Sequence, residues 1–175
     1  RLGLRSVTLV GLGFGGFVAA EMATMNQESI DRLVLVGAPG HLPREGEILD
    51  QMMVDYPEYV RAGLRPEEGF REAFGEDART VFKELWDFSR EMTARLTWKP
   101  YMLNRRLAPL LKEVATPTLI LHGEADAIVP LDVARQYAEA LPGSRLEVVA
   151  GGGHLVEHED PGAIAERIAK FALTG

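Results

Sequence analysis

Ser6-Val7-Thr8-Leu9-Val10-Gly11-Leu12-Gly13-Phe14-Gly15-Gly16 decides the fold, because an apolar, β-branched run breaks into glycines and then into a helical stretch. Such a strand-turn-helix junction serves two chemistries. As G-x-G-x-x-G, residues 11–16 let a backbone approach a pyrophosphate at a helix N-terminus. In the frame G-x-S-x-G the same residues form a nucleophile elbow with Gly13 where the serine would stand. A Walker A loop is excluded, since Phe17 occupies the place of the required lysine.

Working outward, three more runs have the same apolar, β-branched character: Arg32–Ala38, Thr116–Gly123 and Arg145–Ala150. Apolar residues at helical spacing follow in Phe17–Met25, Leu131–Leu141 and Pro161–Leu173, with Leu131, Ala134, Tyr137, Ala138 and Leu141 on one face. Asp160-Pro161 supplies an N-cap and a first-turn proline. Strands that alternate with helices, and that are apolar on both faces, predict an α/β fold with a parallel sheet. The rhythm breaks between Pro39 and Thr116. There Pro66-Glu67-Glu68 marks a short helix, and Asp77 is placed to cap a longer one carrying Val81, Leu85, Phe88, Met92 and Leu96 at steps of three or four.

The two readings of the glycine turn make different demands downstream. A dinucleotide site needs an acidic residue at the end of the next strand to hold the ribose hydroxyls. That strand ends Val36-Gly37-Ala38-Pro39, and Asp31 precedes it. An elbow needs a carboxylate and then a histidine on later loops. Asp126 follows the strand Thr116–Leu121 in His122-Gly123-Glu124-Ala125-Asp126, and His154 follows the strand Arg145–Ala150 after three glycines, Gly151-Gly152-Gly153. The order elbow, Asp, His falls at the C-terminal ends of parallel strands, where such sheets bind ligands.

At these residues the chain resembles the α/β-hydrolase family, over nearly its whole length. The segments Leu9–Gly16, Asp31–Val36, Pro117–Asp126 and Gly152–His154 match the family's elbow, next strand, acid loop and histidine loop in order and spacing. The resemblance implies a mostly parallel sheet flanked by helices, with residues 1–40 and 109–175 as core and 41–108 as a helical cap inserted over the strand ends. It further implies that the family's N-terminal strands, and the loop giving a second oxyanion donor, lie upstream of Arg1. Carried over residue by residue, Asp126 matches the acid, His154 the base and the Phe14 N–H one oxyanion donor. Gly13 matches the nucleophile position without a hydroxyl. The implied activity is hydrolysis of an ester or related carbonyl compound, with a non-catalytic ligand-binding pseudohydrolase and a dinucleotide-binding domain as the alternatives.

Leu12, Trp86, Met92 and His41 are the candidate substrate contacts, the last three within a segment whose aromatics and methionines more often make a plain core. The string His154-Leu155-Val156-Glu157-His158 matches the pattern H-x-x-E-H, but three preceding glycines and Pro161 predict a turn rather than the long helix a zinc site needs. His122, at a strand end, reads as a packed or hydrogen-bonded residue. No metal or other cofactor is expected. With 175 residues, 46% of them hydrophobic, the chain suffices for one cored domain. It contains no cysteine, which excludes disulfides and thiolate chemistry and suits a reducing cytoplasm. A net charge of −7 without a basic stripe argues against nucleic acid, and no apolar run has the length of a bilayer span. A small-molecule substrate is the expected partner; the sequence carries no signal of oligomeric state.

Overall fold

The structure is a computed structural model that describes residues 4–65, 68–75, 77, 80, 82–97 and 100–173. Four strands, β1 (Val7–Leu12), β2 (Ile30–Val36), β3 (Thr118–Gly123) and β4 (Arg145–Val149), form one parallel sheet in chain order. Within the apolar runs the two-residue strand period sorts side chains to opposite faces. Leu33, Leu35 and Ile120 join a cluster built with α1 (Phe14–Met25), α5 (Leu107–Leu111) and α6 (Leu131–Ala140). Val34, Val36, Leu119 and Leu121 face the other way, onto Val156 and onto Ile164, Ile168 and Phe171 of α8 (Pro161–Leu173). Each of the fully buried strand aliphatics, Leu33 to Val36 and Leu119 to Leu121, stabilises the fold by about 1.5–3 kcal/mol.

The helix signals around the sheet hold in detail. Asp160 Oδ1 accepts the Ala163 N–H at 2.9 Å and α8 starts at Pro161, as the N-cap reading requires. On α6 Ala134 and Tyr137 are buried, as is Leu141 at its C-cap, and Leu131 and Ala138 pack against the same cluster. The Tyr137 hydroxyl donates to the Pro39 carbonyl at 2.7 Å, tying α6 to the exit from β2.

Between β2 and β3 lie α2 (Tyr56–Ala62), α3 (Glu68–Phe74), α4 (Lys83–Thr97) and then α5. Val81 and the Pro66-Glu67 start signal lie outside the described residues. The face assigned to α4 is corrected. Leu85, Phe88, Met92 and Leu96 are 58%, 62%, 39% and 64% exposed, whereas Trp86 is 7% exposed. The helix docks through Trp86, which joins Tyr56, Phe70, Phe74 and Phe82 in a ring cluster with centroids 5.3–6.3 Å from the indole. One indole in that cluster outweighs a stripe of four smaller side chains that stays largely in solvent. Among the described residues no helix is long and apolar enough to cross a membrane.

Candidate active site

The turn at the end of β1 is built from close backbone contacts. A Cβ at Gly11 would lie 2.4 Å from the Gly15 carbonyl oxygen, and one at Gly16 would lie 2.7 Å from Ala38 Cβ, so α1 starts directly against the strand ends. Gly13 adopts φ 49° and ψ −123°, a left-handed conformation that strains any residue with a side chain. Its N–H donates to the Val36 carbonyl at 2.8 Å. Phe14 is the first residue of α1, where a backbone N–H has no acceptor within its own helix.

Asp126 lies in the loop after β3 with its side chain fully buried. Oδ1 accepts the N–H groups of Ile128 and Val129, each at 2.8 Å. Oδ2 accepts Nδ1–H of His154 at 2.8 Å and lies 3.2 Å from Nε2 of His122. Burial pushes the Asp126 carboxyl upward, but the bond from His154, the two histidines and the Val129 N–H together hold it below the usual carboxylate range. His122 is wholly buried, and its Nε2 faces both the Val129 carbonyl, at 2.9 Å, and Asp126. Two acceptors on one nitrogen require that nitrogen to carry the proton. Burial drives the His122 imidazole below its ordinary range, so it is a neutral donor to the Val129 carbonyl that also lies beside Asp126.

His154 reaches this carboxylate on a loop whose backbone lies against other glycines. A Cβ at Gly123 would sit 2.0 Å from the Gly153 carbonyl oxygen, and Gly37, at φ 57°, faces the imidazole with its missing Cβ 3.3 Å from Nδ1. Ala125 N–H donates to Gly152 at 2.8 Å, fixing the acid and histidine loops to each other. With Nδ1–H given to Asp126, Nε2 carries the lone pair, and it lies 3.5 Å from where a Cβ on Gly13 would stand. The arrangement presents a carboxylate-backed imidazole nitrogen to Gly13.

A cavity of about 290 Å³ opens on this point, walled by Leu12, Phe14, Tyr56, Tyr59, Trp86 and Leu155 among others. Of the proposed site residues, Gly13, Phe14, His154, Leu12 and Trp86 meet there, with Asp126 behind the imidazole. Two substrate-contact assignments are corrected. His41 is buried edge-on to Tyr137 at 4.4 Å and does not line the cavity; burial and Arg44 pull its pKa down to about 4. Met92 faces outward on α4. Tyr56 and Tyr59 were missed, although Asp55-Tyr56-Pro57 is a helix-start signal that puts the two rings on one face. A larger groove of about 770 Å³, lined by Phe17, Glu21, Arg105 and Arg106, contains neither histidine nor elbow.

The rival constellations lose their geometry. His154 precedes α7 (Val156–Glu159), a helix of four residues, and His158 packs on Phe74 at 6.1 Å, so the two histidines share no helix face. Among the described residues no three His, Asp or Glu side chains are grouped to hold a metal. The dinucleotide reading fails at the turn itself, because His154 occupies the space before Gly13, and Asp31, bonded by the Ser6 hydroxyl, belongs to the opposite end of β2 from the turn.

A family model described as "Alpha/beta hydrolase family" matches residues 1–167. An uncharacterized protein of Mycobacterium tuberculosis is 28% identical over 197 residues, covering 99% of this chain and 58% of that protein; the chain thus spans little more than half of this relative's length. An uncharacterized hydrolase of Bacillus subtilis is 27% identical, covering 98% of the chain and 67% of its own length. A 2-hydroxymuconate semialdehyde hydrolase of Pseudomonas putida is 25% identical, with 97% and 62% covered. Among solved structures, a serine hydrolase from the polyaromatic-hydrocarbon-degrading bacterium Cycloclasticus zankles superposes with a TM-score of 0.74 at 20% identity, covering 97% of this chain and 65% of that one. An esterase from Rhodococcus sp. ECU1013 superposes with a TM-score of 0.72 at 22% identity, with 99% and 68% covered.

Proposed function

Since the chain belongs to the α/β-hydrolase family, we propose that its cavity binds a small ester or related carbonyl substrate and that His154, backed by Asp126, acts on it as general base. The observation that carries this reading is Nε2 of His154, 3.5 Å from the missing Cβ of Gly13 and bonded on its other side to a buried carboxylate. Without a hydroxyl at residue 13 no acyl-enzyme forms. A water lodged in the space a serine side chain would fill is the nucleophile: Nε2 takes its proton as the oxygen attacks the carbonyl carbon. The Phe14 N–H, at the positive end of α1, stabilises the developing oxyanion. The His154 imidazolium then returns the proton to the leaving alkoxide. In this reading residues 41–108 act as a cap, with Tyr56, Tyr59 and Trp86 shaping the acyl site.

The alternative, a ligand-binding pseudohydrolase, is favoured by one observation: glycine at φ 49° relieves the strain that a serine would carry. Hydrolysis of an activated aryl ester separates the two. General-base catalysis predicts slow turnover, without a burst, that His154→Ala abolishes; Gly13→Ser adds a pre-steady-state burst of acyl-enzyme. Saturable binding with turnover no faster than in His154→Ala would establish the pseudohydrolase reading instead.

A further inference from the structure

His154 is fastened through the amides on both sides of it. The Gly153 N–H donates to the Glu159 carboxylate, at 3.0 Å to Oε2 and 3.2 Å to Oε1, and the Leu155 N–H donates to the Gly63 carbonyl at 2.8 Å. Oε1 of Glu159 also accepts the Arg65 N–H, from a segment 94 residues away in the chain. Residues 63–65 directly follow α2, the helix that supplies Tyr56, Tyr59 and Val60 to the cavity wall. The crossing is tight enough that a Cβ on Gly153 would lie 2.7 Å from both Glu159 Oε1 and the Gly63 oxygen. One carboxylate therefore holds the residue before the imidazole and the turn after the cavity helix at once.

We propose that Glu159 is a positioning residue, which seats the His154 loop over residue 13 and locks it to the turn after α2, so that cavity wall and imidazole form one rigid unit. Charge-assisted bonds from two backbone amides to one carboxylate are stronger than neutral ones, and they act next to the residue being aimed. A carboxylate is suited to this place because both of its partners are donors. That His154 is a base rests on the function proposed above; the seating of its loop does not.

The test uses Glu159→Ala, Glu159→Gln and Glu159→Asp, read first by the low-field proton NMR resonance of the His154 Nδ1–H and by hydrogen exchange at Gly153 and Leu155. In Glu159→Ala the resonance is expected to disappear and protection at the two amides to fall about tenfold or more. Gln keeps an oxygen at the Oε1 position but sets an NH2 donor against the Gly153 N–H at the Oε2 position, so it is expected to weaken both signals, and Asp, one methylene shorter, to lose them. In the Gly13→Ser background, Glu159→Ala is expected to lower kcat for an activated ester about a hundredfold while KM changes little. An Ala variant that melts cooperatively and keeps both the resonance and the protection overturns the proposal. Should the Ala variant fail to fold, unchanged signals in the Asp variant overturn it equally. Absence of ester turnover in Gly13→Ser itself counts against the proposed function alone, since the resonance and the exchange rates are read without turnover.

Discussion

Nδ1 of His154 lies 2.8 Å from Oδ2 of Asp126, and that one bond decides which imidazole nitrogen faces residue 13. Asp126→Asn keeps the shape but offers an amide in place of an acceptor, so the ring can no longer be held with its proton on Nδ1. Measured in the Gly13→Ser background, kcat on an activated ester is expected to fall on the order of a thousandfold or more, with KM nearly unchanged. A fall of less than tenfold would show that Asp126 does not orient the base.

The strain at Gly13 gives a prediction that needs no substrate. Gly13→Ala meets nothing but Nε2 of His154 within 4 Å, so any loss of stability comes from φ 49° rather than from a clash. The expected cost is about 1–3 kcal/mol in urea unfolding, with Gly13→Ser costing a similar amount. An Ala variant as stable as the parent would show that the turn relaxes.

Gly123 is the counter-case, where space rather than conformation requires glycine. A Cβ there would collide with the Gly152 and Gly153 carbonyl oxygens, at 2.5 and 2.0 Å. Gly123→Ala is expected to cost at least about 1–3 kcal/mol and to displace the histidine loop, which loss of the His154 Nδ1–H resonance would report. Retention of both stability and resonance would contradict this close packing of the two loops.

Trp86 and Phe88, two residues apart on α4, are expected to behave oppositely. Trp86→Ala empties the centre of the ring cluster and should cost about 3–5 kcal/mol. Phe88→Ala removes a ring that is 62% exposed and should stay within about 0.5 kcal/mol of the parent. The reverse ranking in denaturant melts would restore the inward orientation that the sequence periodicity suggests.

The buried histidines set the response to acid. His41 is held neutral, with its pKa lowered from 6.5 to about 4 by burial and by Arg44, against the smaller opposing pull of Asp132 and Glu139; His122 is lowered in the same direction. Below pH 6.5 the unfolded chain binds protons that the folded one refuses, so stability falls as pH drops from about 6.5 to about 4. For His41 alone the loss is on the order of 3 kcal/mol. Asp126, depressed instead, contributes above its ordinary 3.8 and loses that contribution only at lower pH. Urea melts at pH 7.5, 5.5 and 4.5 check the slope, and His41→Phe should flatten it; an equal slope in that variant would remove His41 as a cause.

The strands and the elbow, acid and histidine loops were legible because each has a local signature: β-branched runs bounded by glycine or proline, and chemistry at the strand ends. The inward face of α4 was not, since a spacing of three or four identifies one side of a helix without saying whether anything faces it. His41 was drawn toward the site by its nearness in sequence to a strand end, yet the chain turns it under Tyr137. The helix start at Asp55-Tyr56-Pro57 offered Tyr59 only as one face of a helix, and the role of Glu159 depends on a contact between segments far apart in sequence. The carboxylate at residue 159 stands just before the last helix, where negative charge is favourable, and only the tertiary contact with residues 63–65 gives it a second duty.

The sheet runs in chain order, but β2 and β3 are separated by the whole helical segment from α2 to α5. Residues 13, 126 and 154 therefore cannot meet until this long connection has closed, a step whose entropy is lost before the contact between β2 and β3 compensates it. Chains trapped before that closure would hold β1 beside β2 and look partly native to any probe of secondary structure, while lacking the site altogether. The proton shared by His154 and Asp126 thus dates the end of folding as well as marking the place of the chemistry.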